Sequence, residues 1–334
     1  MYKIRYPQWR LAMDIQDVFK HYTDDMRVVE DFIRMHQRSY VNLIPEIADH
    51  IIGSGGKRLR PLLLIISSDL CNYRGDRRFP LASVMEFIHT ASLLHDDVID
   101  HAVVRRGKPS ANSIWGNATS VLVGDYLYSS SFGILAEDGD RTIQKLLAAT
   151  TSSMAEGEIL QLAKSGDINA GEKEYFSVIE KKTAILISAA CAIGAILANA
   201  PETEIEALAK FGMRLGTAFQ LTDDTLDYVA REDDFGKTIG MDLREGKITL
   251  PLIRTFKKCN PDEKKIIEEA VGNAAADSID KVMSLIDKYG GINYSLEKAN
   301  TLIEEGKGFL DIFQDSTPKE AFLVISDYVL ERKL

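Results

Sequence analysis

The sequence predicts an all-α protein. Apolar residues recur at three- and four-residue spacing almost throughout, alternating runs and hairpin dipeptides are scarce, and several periodic segments exceed twenty residues. Helices are expected over 14–36, 40–52, 60–71, 80–104, 112–136, 140–164, 171–198, 202–230, 248–258, 262–272, 277–289, 291–312 and 317–331. Gly53-Ser54-Gly55-Gly56 ends the second of these, Gly107-Lys108-Pro109 follows the fourth, and Pro201 stops an Ala-rich one. Long helices that are apolar on much of their circumference suit a large helical bundle with a buried central helix and a deep central cavity. The chain has 334 residues, 45% of them hydrophobic, scattered prolines, no Ser/Gly-rich linker and no solenoid repeat, so a single domain over 1–334 is expected.

Composition excludes several classes of function. A net charge of -10 opposes general nucleic-acid binding, which needs a basic face. Cys71, Cys191 and Cys259 are odd in number and widely spaced, as reduced thiols of a cytoplasmic protein would be, and they give no structural zinc pattern. Met1 to Asp14 lacks the apolar run of a signal peptide. Thr183 to Ala200 carries no charge, but it is rich in Ala, Gly and Ser and borderline in length, which reads as a buried helix rather than a membrane span.

The chemistry lies in two aspartate-rich motifs, Asp96-Asp97-Val98-Ile99-Asp100 and Asp223-Asp224-Thr225-Leu226-Asp227. Positions 96 and 100 are one helical turn apart and 97 is offset by about 100°, so the three carboxylates are expected to converge on one side. Extended backwards, the same stripe takes in Ser92 and His89, and in the second motif Gln220. Apolar neighbours, Leu93-Leu94 and Phe219 with Leu221, place both motifs on the walls of a cleft. Carboxylates gathered there repel one another and are costly to desolvate, so a cation must join them. Magnesium suits this role because it takes oxygen ligands, keeps waters and bridges carboxylates to phosphate. One D-D-x-x-D is no more than a solvated acidic patch would give, but two with identical spacing point to a metal–phosphate site.

Two basic clusters flank the first motif. Gly55-Gly56-Lys57-Arg58-Leu59-Arg60-Pro61 places cations at a helix start, where free N–H groups favour anions, and Arg105-Arg106-Gly107-Lys108 follows the motif's own helix. Arginine forks match phosphate oxygens. One phosphate group held through metal and another held by cations alone imply two diphosphate substrates. Lys182-Thr183, Gly236-Lys237-Thr238 and Gly246-Lys247 could reach a leaving diphosphate.

These segments together resemble the trans-type (all-E) prenyl diphosphate synthases, and among them the long-chain octaprenyl and related polyprenyl synthases. The resemblance runs from about Gly55 to the end of the chain through GGKRLRP at 55–61, EFIHTASLLHDDVIDHAVVRRGKP at 86–109, GNATSVLVGDYL at 116–127, FQLTDDTLDY at 219–228 and GKTIGMDLREGKITLP at 236–251. It implies that Asp96, Asp97, Asp100, Asp223, Asp224 and Asp227 bind two or three Mg2+ ions that grip an allylic diphosphate, with farnesyl diphosphate as the expected primer. Lys57, Arg60, His89 and Arg106 look like the isopentenyl diphosphate site. Arg105, Lys182, Thr183, Gln220, Lys237 and Lys247 match positions that hold the allylic diphosphate. Arg58 receives no role and is expected to be more exposed. His101-Ala102-Val103-Val104 departs from the common pattern without touching the metal ligands. The small Ala91 and Ser92, one turn below the first motif, suggest an open tunnel and a long, octaprenyl-like product for quinone side chains. The resemblance also implies a homodimer, with peripheral membrane contact for product release. The alternatives are a shorter-chain synthase, a non-catalytic subunit of a heteromeric synthase, a terpene cyclase or squalene-type condensing enzyme, and a metal phosphohydrolase.

Overall fold

The computed structural model describes residues 13–53, 58–229, 240–272 and 276–331. The chain enters through α1 (Ile15–His21) and α2 (Thr23–His36), which replace one expected helix because Tyr22 breaks it. Then follow α3 (Leu43–Ile52), α4 (Leu59–Leu70), α5 (Arg78–Ile99), the short α6 (Ala111–Trp115), α7 (Asn117–Asp138), α8 (Arg141–Lys164), α9 (Glu172–Ile179), α10 (Ile185–Leu197) and α11 (Glu202–Leu226). The last part of the chain contributes α12 (Met241–Arg244), α13 (Leu250–Lys258), α14 (Pro261–Ala270), α15 (Ala276–Tyr289), α16 (Gly291–Phe309) and α17 (Thr317–Glu331).

The uncharged segment that resembled a membrane span is the central helix. α10 is buried almost all round and packs against α4, α8 and α11. Its small residues explain how. A side chain at Gly194 would meet Ser67 and Ser68 of α4 at 2.5–2.6 Å, and the Ser67 hydroxyl donates to the Cys191 carbonyl across the same contact. Among the described residues no helix is long and apolar enough to cross a membrane. A second apolar cluster, from Tyr228 and Leu243 to Leu285 and Ile286, joins α12 to α15, and Ile248 packs on both clusters.

Two departures from the expected helices shape the site. α5 stops at Ile99 rather than running to 104, because His101 adopts φ 51° and Ala102 N–H donates to Asp97 O at 2.9 Å while His101 N–H reaches Val98 O at 3.4 Å. This is a Schellman ending with histidine in the place glycine usually takes. The chain then forms a hairpin, Val104–Arg105 against Lys108–Pro109, turning on Arg106 and Gly107. Both turn residues have positive φ, 51° and 75°, as a two-residue turn matched to strand twist requires. The other departure is a π-helical turn, Glu180–Ala184, inside the expected 171–198 helix.

Candidate active site

Both aspartate motifs lie at helix C-termini, with Asp100 capping α5 and Asp227 capping α11. The partial negative charge of a helix end adds to the repulsion among the carboxylates, so cations are expected to gather there. They do. Lys247 Nζ donates to Asp100 Oδ2 at 3.1 Å and lies 2.7 Å from Glu245 Oε2, while its charge also acts on Asp224 and Asp242 beside the second motif. Lys247 therefore ties the two motifs into one site. Burial opposes its charge, but Asp242, Asp100 and Glu245 outweigh that and hold the ammonium firmly protonated. Lys182 Nζ sits 3.7 Å from Asp96 Oδ2 and 2.5 Å from Glu158 Oε2.

The first motif does not present three converging carboxylates. His89, Ser92, Asp96 and Asp100 form a half-buried stripe, as the spacing predicts, whereas Ala91, Leu94 and Asp97 form the packed stripe behind it. Asp97 is 0% exposed, and Arg105 brings Nε and Nη2 each to 2.6 Å from its Oδ1. The 100° offset is enough to turn Asp97 into a structural ion pair that anchors the hairpin to α5. Ala91 is likewise 0% exposed, so of the two small residues only Ser92 borders open space; its hydroxyl donates to His89 O at 2.8 Å.

In the second motif, Asp224 is held on both oxygens. Tyr175 donates to Oδ2 and Gln220 Nε2 to Oδ1, each at 2.7 Å, and the Gln220 carbonyl accepts from Thr183 at 3.0 Å. Burial pushes the Asp224 carboxyl up to about 6 against these two hydrogen bonds. Asp227 Oδ2 accepts from the Asp242 backbone N–H at 3.0 Å and Asp223 is half-buried beside them. Burial pushes Asp242 well above the usual carboxylate range, with Asp224 and Asp227 adding repulsion.

Lys182 and Thr183 lie in the π-helical turn, which a glycine approaches from each side. A Cβ at Gly157 of α8 would fall 2.7 Å from Lys182 N, and one at Gly216 of α11 would fall 2.6 Å from Ala184 Cα. The widened turn so confined aims Lys182 at Asp96 and Thr183 at Gln220.

A separate cationic cluster gathers around His89, farther back along α5. Arg60 is half-buried, with its Nε enclosed and lacking a hydrogen-bond partner; burial and Arg106 pull its pKa down to about 10 against the support of Glu86. Burial first, then Arg60, Arg106 and Arg105, hold His89 well below its ordinary value, so it is neutral. The surplus of positive charge is a ready site for an anion. Arg58 is not exposed as expected. Its side chain is 13% accessible and pairs with Glu30 at 2.7 Å and Glu86 at 2.9 Å, because α2 and α5 close over it. Lys57 and Lys237 lie outside the described residues.

Residues 41–288 match the family described as Polyprenyl synthetase. The chain belongs to the polyprenyl synthetase family. An octaprenyl diphosphate synthase of Haemophilus influenzae is 36% identical, covering 96% of this chain and 98% of the relative. A short chain isoprenyl diphosphate synthase of Methanothermobacter thermautotrophicus is 32% identical over 96% and 99% of the two chains. The structure of a Caulobacter crescentus polyprenyl synthase, complexed with calcium and isoprenyl diphosphate, superposes with a TM-score of 0.92 at 37% identity, covering 97% of this chain and 100% of that one. The protein is therefore a trans-polyprenyl diphosphate synthase, an enzyme acting on prenyl diphosphates.

The family is metal-dependent, and the synthase's residues fit a hard dication. Burial pushes the Asp96 carboxyl up to about 6, with Glu158 and Asp100 adding repulsion and Lys182 opposing it. A cation bound between oxygen donors relieves that repulsion. Among the described residues no three His, Cys, Asp or Glu side chains form a protein-only metal cage. Carboxylate oxygens such as those of Asp96 and Asp100 suit an ion that completes its shell with water and phosphate oxygens. Glu158, Tyr175 and Asp242 are site residues that sequence reading missed. Glu158 and Tyr175 stand on helices without a motif, and only the fold brings them in.

Proposed function

We propose that this synthase condenses isopentenyl diphosphate with an allylic diphosphate, starting from farnesyl diphosphate, and repeats the cycle to a long all-trans, octaprenyl-like product for quinone side chains. The observation that carries this reading is the pair of electrostatically distinct sites along α5. Asp96 and Asp100 lie beside Lys182 and Lys247 at one end. The cluster of Arg60, Arg106 and neutral His89 lies behind them.

Asp96, Asp100, Asp223 and Asp227 would hold two or three magnesium ions, with Asp97 and Asp224 serving as supports for Arg105 and for the Tyr175–Gln220 pair. Bound magnesium supplies charge neutralisation to the allylic diphosphate. Lys182, Lys247, Arg105, Thr183, Gln220 and, from the sequence, Lys237 take up the charge that develops as the carbon–oxygen bond breaks. Arg60, Arg106, His89 and, from the sequence, Lys57 hold isopentenyl diphosphate with its alkene toward that carbon. The alkene electrons form the new carbon–carbon bond, a proton leaves to the departing diphosphate, and the double bond is restored.

Val121, Leu122 and Phe132 of α7 and Ile159 and Leu162 of α8 are exposed apolar side chains, which supports burial against a second copy in a homodimer. The three free thiols support a cytoplasmic setting. Incubating the protein with farnesyl diphosphate, isopentenyl diphosphate and magnesium and weighing the products tests the reading. A ladder ending near eight isoprene units is expected. A product ending at three or four units favours the shorter-chain alternative, and no elongation refutes the proposal.

The π-helical turn carries its own prediction. Gly157→Ala places a methyl against Lys182 N and displaces the turn, so kcat is expected to fall about 100-fold, the scale of a 1 Å misplacement. Overpacking costs about 1–3 kcal/mol, so the variant remains folded. Steady-state kinetics beside a thermal melt checks this; unchanged kcat would mean that the turn does not set the position of Lys182.

A further inference from the structure

Arg58, left without a role by its motif, is held on three sides. It is the N-cap of α4 with φ 47° and ψ 43°, a left-handed conformation that side chains other than glycine rarely adopt. Its guanidinium joins three helices. Nε donates to Glu30 of α2 at 2.7 Å, Nη1 to Glu86 of α5 at 2.9 Å, and Nη2 to the carbonyl of Ile52 that ends α3 at 2.8 Å. Glu86 is 5% exposed and one helical turn before His89 on α5. Its carboxylate faces Arg58, and Arg60 and Arg106 also feel its charge.

This arrangement divides one buried negative charge. If Glu86 turned fully to Arg60, the two would neutralise each other and close the anion site from within. Arg58 prevents this by engaging Glu86 from the opposite side, while Glu30 supplies the second carboxylate that Arg58 itself needs. Arg60 then keeps a guanidinium whose buried Nε has no hydrogen-bond partner.

We propose that Arg58 is a positioning residue for the homoallylic substrate: by holding Glu86 it keeps Arg60 open to the diphosphate of isopentenyl diphosphate. The inference rests on the assignment of Arg60 to that substrate under the proposed function. It concerns one substrate only, because Arg58 meets α5 at Glu86, beside Arg60, and not at Asp96 and Asp100.

The test measures binding of isopentenyl diphosphate by calorimetry without an allylic partner, so that nothing turns over, and then the separate KM values and kcat with both substrates. Arg58→Ala should weaken isopentenyl diphosphate binding at least tenfold and raise its KM to match, with the allylic KM and kcat within threefold of the unsubstituted protein. Adding Glu86→Gln to that variant should restore binding to within threefold, because no carboxylate then competes for Arg60. Adding Glu30→Gln instead restores the same net charge away from Arg60 and should not rescue. Equal rescue by both would overturn the proposal in favour of a net-charge effect. Loss of both substrates together, or no loss at all, would overturn it as well. If Arg58→Ala does not fold, Arg58→Gln carries the same pair of rescues. Failure of the unsubstituted protein to bind isopentenyl diphosphate refutes the functional reading itself, whereas normal binding that ignores Arg58 refutes only this inference.

Discussion

Asp96→Asn will lower kcat by about 1000-fold while leaving the affinity for isopentenyl diphosphate within threefold. Removing one preorganised electrostatic contact to a developing charge costs about 10²–10³ in rate, and Asp96 stands 3.7 Å from Lys182 on the half-buried stripe of α5. The same change should stabilise the metal-free fold. The Asp96 carboxyl is raised to about 6 by burial, with Glu158 and Asp100 adding to it, so the folded state holds its proton more tightly than the unfolded chain does. Stability therefore falls as pH rises from about 4 to 6, and above that range the ionised carboxylate costs a few kcal/mol. Asn removes this cost, so the variant should melt higher than the unsubstituted protein at pH 7 and equally below pH 4. Asp97→Asn should leave turnover much nearer normal, because its side chain faces the packed stripe and Arg105. Burial raises this carboxyl too, against the Arg105 guanidinium, so relief of the buried charge and loss of the ion pair offset each other in the fold. Kinetics and melting curves of the two neighbours separate a catalytic carboxylate from a structural one; equal effects on turnover and stability would defeat that division.

Ser92→Phe is expected to shorten the main product by at least two isoprene units. Ser92 is half-buried on the same stripe one turn below Asp96, where a lengthening hydrocarbon is proposed to pass, and an aromatic ring there would fill that path. Ala91→Phe should leave product length unchanged and lower stability instead. Ala91 is 0% exposed among packed side chains, so the ring has nowhere to go; overpacking of about 1–3 kcal/mol or more should lower Tm by roughly 5 °C. Chromatography of the products from both variants decides the matter. Shortening by Ala91→Phe, or none by Ser92→Phe, would move the tunnel to another face of α5.

The helical class, the central α10 and the stripe from His89 to Asp100 were legible in the sequence because each depends on a period of 3.6 residues. What escaped depends on contacts between elements. α5 was expected to reach 104, since nothing local announces that His101 will take a left-handed conformation; the ending is made by hydrogen bonds to Asp97 and Val98. The π-helical turn is equally silent, being shaped by Gly157 and Gly216 on two other helices. The face that Asp97 takes was misjudged because a helical wheel shows which residues share a side but not what packs against it. Arg58 reads as one more basic residue in a turn, and only the approach of Glu30 and Glu86 from remote positions makes it a buried clamp.

The hairpin turn sets stability and turnover against each other. At Arg106, φ 51° suits glycine or asparagine better than arginine, and the left-handed region costs an ordinary side chain roughly 1–2 kcal/mol. A library screened for heat resistance would therefore enrich small residues at 106, and a consensus drawn from those survivors would erase the guanidinium. Selection for growth on the product would keep the less comfortable arginine. Any engineering of this enzyme for robustness should hold position 106 fixed, because there the better-folded variant is expected to be the worse catalyst.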